Sequence, residues 1–481
     1  MPPAPLGDPV VAMTAITTTT FDAAAVPMLN GIFAATAEEH GAAALAVIQG
    51  EVPRDLSGAY LRNGPNPRFT PIGSYTFPLD GDAMVHGVWF DDGDVRYANR
   101  FVRTAVMAAE EQAGRALWGG VNSGIRPGVS EVGAALALVD RDAPFVNVIS
   151  HGGRILALAE SQPSYHLAPT LETVGPYTYG GVLPRGVTAH PRIDPTTGDL
   201  VVFRYGLEPP FLTWSVVAAD GTARPEQAID LDASYMIHDC VITERYLVVF
   251  VCPVAFDLSG PDRGEPVLDW RPERGTRIVV IARDGSGLQW FDSDAFWVWH
   301  FANAFEEVAA DGSTTITVDY PYWTHPGMGL PGAPGQAGMA RARLALASGL
   351  VTFEQVDALM AEFPRIDDRR IGRKHRYFHV VGKHAPIVGE WDELRRYDTV
   401  TGSITTRHLG TRRVGEAIFA PRDSGTGEDD GYVLLYTYDR AELTTDLVIL
   451  HAADVAGEPA ATLRMPHRVP FGLHGNWVTV R

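Results

Sequence analysis

The chain has 481 residues, 46% hydrophobic and 20% charged, so it can bury a large core and is not disordered as a whole. Its net charge of −19 repels phosphate backbones, which argues against nucleic acid as a partner. Two cysteines cannot form a disulfide framework, and no apolar stretch reaches the roughly 20 residues that a membrane-spanning helix needs.

Residues 1–25 are rich in Pro, Ala and Thr, and they lack the charged start and long apolar core of a signal peptide. We therefore expect a disordered leader. No change in composition divides the rest of the chain, so residues 26–481 are expected to form one domain. Cys240 and Cys252 are expected to be buried free thiols, as in a soluble protein of a reducing cytoplasm.

Short β-branched and aromatic segments recur from about residue 45, each bounded by a turn signal. Examples are "GDLVVFRYG", "RYLVVFVCPVAF", "RIVVIARDG", "STTITVDYPYW", "GYVLLYTYD" and "DLVILHAAD". Asp-Gly pairs, which favour tight hairpins, follow many of them. This pattern predicts an all-β fold, either a barrel, a sandwich or a propeller, and the length suits a propeller.

Two segments have a composition that is typical of helices. The first is "TAVMAAEEQAGRALWGG" (104–120) and the second is "MARARLALASGLVTFEQVDALMAEF" (339–363). We expect both to be helical excursions from a β scaffold.

Four of the fifteen histidines lie at or near predicted strands, among aliphatic or aromatic neighbours and with little charge around them. They are His190, His238, His300 and His474. An unpaired imidazole is costly in an apolar wall, whereas a metal ligand with a hydrogen-bonded back side is stable there. The four lie too far apart in sequence for one helix or hairpin to bring them together, but a propeller could do so if each came from a different blade.

A set of segments in a fixed order carries a resemblance to a known family. They are "GAYLRNGPNPRF" (58–69), "DGDAMVHGVWF" (80–90), "YANRFVRT" (97–104), "HGGRILALAES" (151–161), "TAHPRIDPTTGDL" (188–200), "MIHDCVITERYLVVF" (236–250), "WHFANAFEE" (299–307), "EFPRID" (362–367), "GEAIFAPR" (415–422), "EDDGYVLLYTYD" (428–439) and "PFGLHGNWV" (470–478). On these segments the chain resembles the carotenoid cleavage oxygenases, a family that also includes stilbene- and phenylpropanoid-cleaving dioxygenases.

The resemblance implies a seven-bladed β-propeller with helical loops forming a dome over an axial iron site. It implies one Fe(II) per chain, bound by His190, His238, His300 and His474. Three glutamates are implied behind these ligands, namely Glu160, Glu362 and Glu416. Dioxygen would be the co-substrate, and NAD(P)H, flavin and 2-oxoglutarate would not be needed, because the alkene itself supplies the electrons.

Two features bear on the implied substrate. Val146 stands where many relatives have a threonine that crowds an open iron position. Phe101 stands where hydroxystilbene-cleaving relatives have a phenol-binding tyrosine, and no lysine occurs between residues 97 and 150. Phe301 follows an implied ligand directly and is the third residue that we expect to contact substrate. Without these polar groups, the hydroxyl of a bound phenol would be buried without a hydrogen bond, at a cost of about 1–3 kcal/mol. This favours an apolar carotenoid or apocarotenoid as the substrate.

Other interpretations stay open. The same chemistry could act on a stilbene or an alkenylphenol, and an isomerase with the same iron site is a further alternative. A propeller that binds without turnover belongs to a different class, although the retained histidines and glutamates argue against it. An apolar patch at the tunnel mouth would allow peripheral membrane contact. No protein partner is predicted.

Overall fold

The computed structural model describes residues 21–121, 123–260, 263, 265–328, 330, 335–383 and 391–479. Seven sheets of four or five antiparallel strands, here called blades 1 to 7, account for nearly all of the regular structure. The predicted all-β, seven-bladed propeller is therefore confirmed. The predicted leader lies outside the described residues up to residue 20, and Ala23–Ala25 form a 3-10 turn.

The two five-stranded blades contain strands from both ends of the described chain. Blade 1 is formed by β1 (Ala43–Ala44), β3 (Gly58–Pro65), β4 (Ala83–Asp91), β5 (Asp94–Phe101) and β32 (Gly475–Val478), in the order β1-β5-β4-β3-β32. Blade 7 is formed by β2 (Ala46–Gly50), β28 (Arg413–Pro421), β29 (Gly431–Tyr438), β30 (Thr445–His451) and β31 (Ala461–Arg464), in the order β2-β31-β30-β29-β28. The ring is thus closed twice, by an early strand in blade 7 and by a late strand in blade 1.

The other five blades are four-stranded meanders. Blade 2 contains β6 (Asn147–His151), β7 (Arg154–Leu158), β8 (Ser164–Leu167) and β9 (Thr173–Tyr177), and blade 3 contains β10 (Arg192–Ile193), β11 (Leu200–Tyr205), β12 (Leu212–Val217) and β13 (Gln227–Ile229). Blade 4 contains β14 (Cys240–Ile242), β15 (Tyr246–Val251), β18 (Thr276–Ala282) and β19 (Leu288–Ser293), with a separate ribbon of β16 (Val254–Phe256) and β17 (Leu268–Trp270). Blade 5 contains β20 (Asn303–Val308), β21 (Thr314–Trp323), β22 (Ala337–Ala345) and β23 (Leu350–Asp357), and blade 6 contains β24 (Ala361–Arg365), β25 (Tyr377–Gly382), β26 (Glu393–Asp398) and β27 (Ile404–His408).

Two α-helices occur among the described residues, both between blades 1 and 2. Helix α1 (Ala105–Ala113) confirms the first predicted helix, and it begins where the Thr104 hydroxyl accepts a hydrogen bond from the Met107 N–H. Helix α2 (Val129–Ala137) was not predicted. Further 3-10 turns are Pro27–Leu29, Gly31–Phe33, Pro272–Arg274 and Asp368–Arg370. No helix of the described segments has both the length and the apolar character needed to cross a bilayer.

The second predicted helix, 339–363, is wrong. Its residues form the hairpin β22–β23 and the start of β24. The sequence "ARARLA" alternates between small or apolar and charged residues. Ala340, Ala342 and Leu344 are buried, while Arg341 and Arg343 between them are partly exposed. This period of two fits a strand, so the alternation decides the structure over the helix-forming composition.

The core lies between the blades, where apolar faces of neighbouring sheets pack together. Val433, Leu435, Tyr436, Leu447 and Ile449 on blade 7 are all completely buried. Both cysteines are buried and free, as expected.

Candidate metal centre

The four predicted histidines each lie one to three residues before the inner strand of a different blade. His190 precedes β10, His238 precedes β14, His300 precedes β20 and His474 precedes β32. The predicted glutamates come from the three remaining blades, since Glu160 follows β7, Glu362 lies in β24 and Glu416 lies in β28. All seven blades therefore contribute one of these residues to the same region.

Close backbone packing holds His474 in place. Its carbonyl accepts from the Asn63 N–H at 2.9 Å, and its own N–H donates to the Val146 carbonyl at 3.1 Å. Glycine is required on both sides: a Cβ on Gly472 would lie 2.9 Å from the guanidinium carbon of Arg62, and a Cβ on Gly475 would lie 2.6 Å from the Leu61 carbonyl oxygen. The "GLHG" sequence is therefore explained by the approach of this segment to β3.

The histidine side chains converge on one point. The Nε2 atoms of His238 and His300 are 3.3 Å apart, and those of His300 and His474 are 3.1 Å apart. Adjacent imidazole ligands at about 2.1 Å from an octahedral metal would be separated by about 3.0 Å. The Nε2 atom of His190 is buried and has no hydrogen-bond partner. The structure thus brings all four together with the spacing of a metal site, and a cation would satisfy the unpaired nitrogen.

Each predicted glutamate contacts the outer nitrogen of one histidine. Glu160 contacts Nδ1 of His238, Glu362 Oε2 is 2.6 Å from Nδ1 of His300, and Glu416 Oε1 is 3.0 Å from Nδ1 of His474. A carboxylate can only accept here, so each Nδ1 carries the proton and each Nε2 presents its lone pair to the centre. The first histidine, His190, has no carboxylate partner among the described contacts.

A second set of side chains donates hydrogen bonds to the three glutamates, and the sequence analysis did not identify these residues. The Tyr205 hydroxyl donates to Glu160 at 2.5 Å, and Trp323 Nε1 donates to Glu362 at 2.6 Å. Arg365 donates to Glu416 at 3.3 Å. Of these three residues, only Arg365 could have been identified from the sequence, because it lies in the same "EFPRID" segment as Glu362.

The electrostatic balance favours a bound cation. Burial lowers the pKa of His190 well below its usual range, and the neighbouring imidazoles add to this effect. Burial also lowers the pKa of His474, to about 4, against the opposing effect of Glu416. Burial opposes ionisation of Glu416, but Arg365, His474 and the Gly475 N–H outweigh it and hold its pKa at about 2. His190 and His474 are therefore neutral donors, whereas at His238 the lowering effect of burial is outweighed by Glu160, which raises the pKa of that imidazole.

A cavity of about 310 Å³ runs beside three of the histidines and along the inner strands. Its wall is mixed, with charged side chains such as Arg192, Asp239 and Asp368 next to Phe363 and Trp477. The Phe363 ring lies nearly parallel to that of His300, with centroids 5.0 Å apart. This cavity gives the centre both a polar and an aromatic boundary.

The three predicted substrate residues are placed differently. Phe301 lines the 310 Å³ cavity, although its ring packs mainly on Phe250 and Tyr320. Phe101 packs in a small buried cluster with Met84 and Met107. Val146 is buried in the core around blades 1 and 2. Neither Phe101 nor Val146 is among the residues that line the cavity.

Comparison with known proteins gives a consistent result. A family model described as "Retinal pigment epithelial membrane protein" (RPE65) matches residues 33–479. A carotenoid cleavage oxygenase of Mycobacterium tuberculosis is 34% identical, with 94% of this chain and 97% of the relative covered. An isoeugenol monooxygenase of Pseudomonas nitroreducens is 31% identical, with 90% and 94% covered.

Solved structures agree in fold. The lignostilbene dioxygenase of Pseudomonas brassicacearum superimposes with a TM-score of 0.87 at 28% identity, covering 95% of this chain and 99% of that one. A cobalt-substituted apocarotenoid oxygenase of Synechocystis gives a TM-score of 0.81 at 27% identity, covering 93% and 97%.

Proposed function

The chain belongs to the carotenoid cleavage oxygenase family, and from that premise we propose that it is an Fe(II) dioxygenase that cleaves a C=C bond of a carotenoid or apocarotenoid. The observation that carries the proposal is the convergence of four imidazole Nε2 atoms whose outer nitrogens, in three cases, are held by buried carboxylates. One ion per chain would be bound by His190, His238, His300 and His474.

The donor set supports iron. Imidazole nitrogen suits iron and other transition metals, while Ca²⁺ and Mg²⁺ prefer oxygen ligands. Four ligands leave up to two positions of an octahedron open. When bound, Fe(II) supplies these open positions and the redox capacity for the reaction of an alkene with dioxygen.

The stoichiometry needs no further co-substrate. Cleavage of the C=C bond with one O₂ gives two carbonyl groups, and each product takes one oxygen atom. The four electrons that reduce dioxygen come from the alkene, so NAD(P)H, flavin and 2-oxoglutarate have no role. The residues of the chain bind the metal and fix the imidazole tautomers through Glu160, Glu362 and Glu416, and they keep a buried, defined space beside the centre.

The chain lacks the polar residues that bind a phenol in hydroxystilbene-cleaving relatives, and this favours an apolar substrate. By the resemblance, Phe101 offers no hydroxyl to a phenol, although its ring packs with Met84 and Met107 and does not line the 310 Å³ cavity. Phe301, which lines that cavity, is apolar as well, and so is the buried Val146. A long polyene also buries more apolar area than a short alkenylphenol, at about 25 cal/mol per Å².

A second candidate is the same cleavage on a stilbene or an alkenylphenol. The similarity to a relative named isoeugenol monooxygenase and to a lignostilbene dioxygenase structure favours it. Phe101 and the absence of lysine between residues 97 and 150 count against it.

We also propose that the protein works in the cytoplasm and contacts membranes peripherally through α2. Val129 at the start of this helix is exposed, and Leu138 directly after the helix is 81% exposed. Val139, which follows Leu138, is exposed as well. Such a patch would let an enzyme with a net charge of −19 collect a lipid-dissolved substrate.

The test is product analysis under ¹⁸O₂ with carotenoids, apocarotenals, stilbenes and alkenylphenols. We expect two carbonyl products, each carrying one labelled oxygen, and higher kcat/KM for a carotenoid or apocarotenal. At least tenfold higher kcat/KM for isoeugenol or a hydroxystilbene would establish the second candidate instead. Bound iron without oxygen uptake on any alkene would indicate a binding protein.

A further inference from the structure

A second group of potential metal ligands lies outside the four-histidine centre. Glu38 and His40 belong to the segment that precedes β1 and runs along β5, and His467 belongs to the segment that precedes β32. One ligand atom from each of the three lies within 4.8 Å of the others. None of them takes part in the centre described above.

We propose that Glu38, His40 and His467 form a second site for a divalent transition metal of the Zn²⁺ type, with water in the fourth position. Two imidazoles, one carboxylate and a water are a common ligand set for Zn²⁺. This inference is independent of the proposed enzymatic function.

The spacing fits such a site. His40 Nε2 lies 3.4 Å from Glu38 Oε2, close to the roughly 3.3 Å that separates ligands of a tetrahedral zinc ion. The ring centroids of His40 and His467 are 4.7 Å apart with an interplanar angle of 20°. Ring centroids within the four-histidine centre are 4.5–5.3 Å apart, so the second pair has the same centroid spacing, although the rings of the first set meet at 54–87°.

Two nitrogen atoms at this place have no hydrogen-bond partner. Nε2 of His40 and Nδ1 of His467 are both buried and make no hydrogen bond, and the 3.4 Å contact of His40 Nε2 with Glu38 is an ion-pair distance only. Buried nitrogen atoms without a partner cost free energy, and in native proteins such groups are rare. His190 Nε2 in the four-histidine centre is unpaired in the same way. A cation bound between the two rings would satisfy both nitrogens at once.

The back side of His467 is held as a metal ligand requires. Its Nε2 is 2.8 Å from the Tyr97 hydroxyl oxygen, which is 2.8 Å from Nδ1 of the buried His86. When the Tyr97 hydroxyl donates to His86, its oxygen accepts from the His467 Nε2–H. His467 Nδ1 then presents a lone pair toward His40. The Tyr97 hydroxyl thus has the role that glutamates have in the four-histidine centre.

The segment that carries two of the ligands is already fixed by its backbone. The His40 N–H donates to Asn99 Oδ1 at 2.7 Å, and the Asn99 N–H donates to the His40 carbonyl at 3.1 Å. Between the two ligands, Glu39 forms an ion pair with Arg103 at 2.8 Å. Binding would therefore require little ordering of the chain, and the ion would join the early segment to the segment that leads to His474.

The experiment measures zinc and iron separately, per chain, in the full-length protein without an affinity tag after equilibration with Zn²⁺ and dialysis. We expect wild type to hold one divalent ion more than His40→Gln and one more than Glu38→Gln. Tyr97→Phe keeps the three ligands but loses the back-side contact, so its Kd for Zn²⁺ should rise roughly 10–100-fold. The exposed His451 provides the matched control, since His451→Gln should retain the full metal content.

Metal in the four-histidine centre shows whether a variant is folded, and it should be unchanged in His40→Gln. Equal total metal in wild type, His40→Gln and Glu38→Gln would overturn the proposal. So would additional Zn²⁺ that is lost only when His300 is replaced, because that ion would belong to the four-histidine centre.

Discussion

Replacement of Glu416 by glutamine tests the link between the buried carboxylates and metal retention. Oε1 of Glu416 accepts from His474 Nδ1 at 3.0 Å and from Arg365 at 3.3 Å, while Oε2 accepts from the Gly475 N–H at 2.8 Å. Glutamine has one acceptor oxygen and one NH₂ group, so it cannot satisfy all three donors. It also removes the negative charge that faces Arg365.

The size of the effect follows from these contacts. Loss of one hydrogen bond to a buried charged group costs about 1.5–3 kcal/mol. At about 1.4 kcal/mol per factor of ten, this corresponds to roughly 10–100-fold weaker binding. The same range is typical when a residue behind a metal ligand is replaced. The loss should be smaller than for His474→Ala, because the amide oxygen can still accept from Nδ1.

The assay is the rate of iron loss to a chelator, measured together with kcat/KM on the preferred substrate. Glu306→Gln is the matched control, since Glu306 also pairs with an arginine, Arg245, but lies on β20 away from the centre. Wild-type iron retention in Glu416→Gln would refute the reasoning. Equal losses in both variants would also refute it, since they would point to general destabilisation.

Three more predictions concern the centre and its surroundings. Alanine at any of the four proposed ligands should abolish activity and lower the iron content, and full activity in any of these variants would contradict the ligand set His190, His238, His300 and His474. Trp323→Phe removes the 2.6 Å hydrogen bond to Glu362, so iron should dissociate about tenfold faster with little change in melting temperature. Phe101→Tyr should raise the ratio of kcat/KM for isoeugenol to that for an apocarotenal. An unchanged ratio together with a lower Tm would show that the side chain at position 101 packs in the core and does not contact the substrate.

The residues of the centre were predictable from sequence because each lies in a short motif. His190, His238, His300 and His474 stand in apolar segments where a spare imidazole is unfavourable, and the resemblance supplied their partners. The residues that hold the glutamates were not predictable in this way. Tyr205 and Trp323 lie 45 and 39 residues from the carboxylates they contact, on neighbouring blades, and only the folded ring brings them together.

The fold was predictable in class and less so in local elements. Hairpin signals at regular intervals indicated a propeller, and Thr104 marked the start of α1. The segment 339–363 was misassigned because Ala, Leu and Arg favour helices, whereas the alternation at Arg341 and Arg343 favours a strand at the edge of a buried face. Helix α2 has an interior glycine, Gly133, with a φ of 80°, so its local sequence gives a weak helix signal.

The double closure of the propeller determines the order in which a nascent chain can be completed. During synthesis β2 emerges early but cannot pair until β31 has followed, and β3, which pairs with β4, cannot gain its second partner until β32 has been made. His474 leaves the ribosome long after the other three histidines, so the full ligand set exists only when nearly all described strands have been translated. With the proposed ligand set, metal would be acquired late, and a stalled or prematurely terminated chain would present three imidazoles and an open ring.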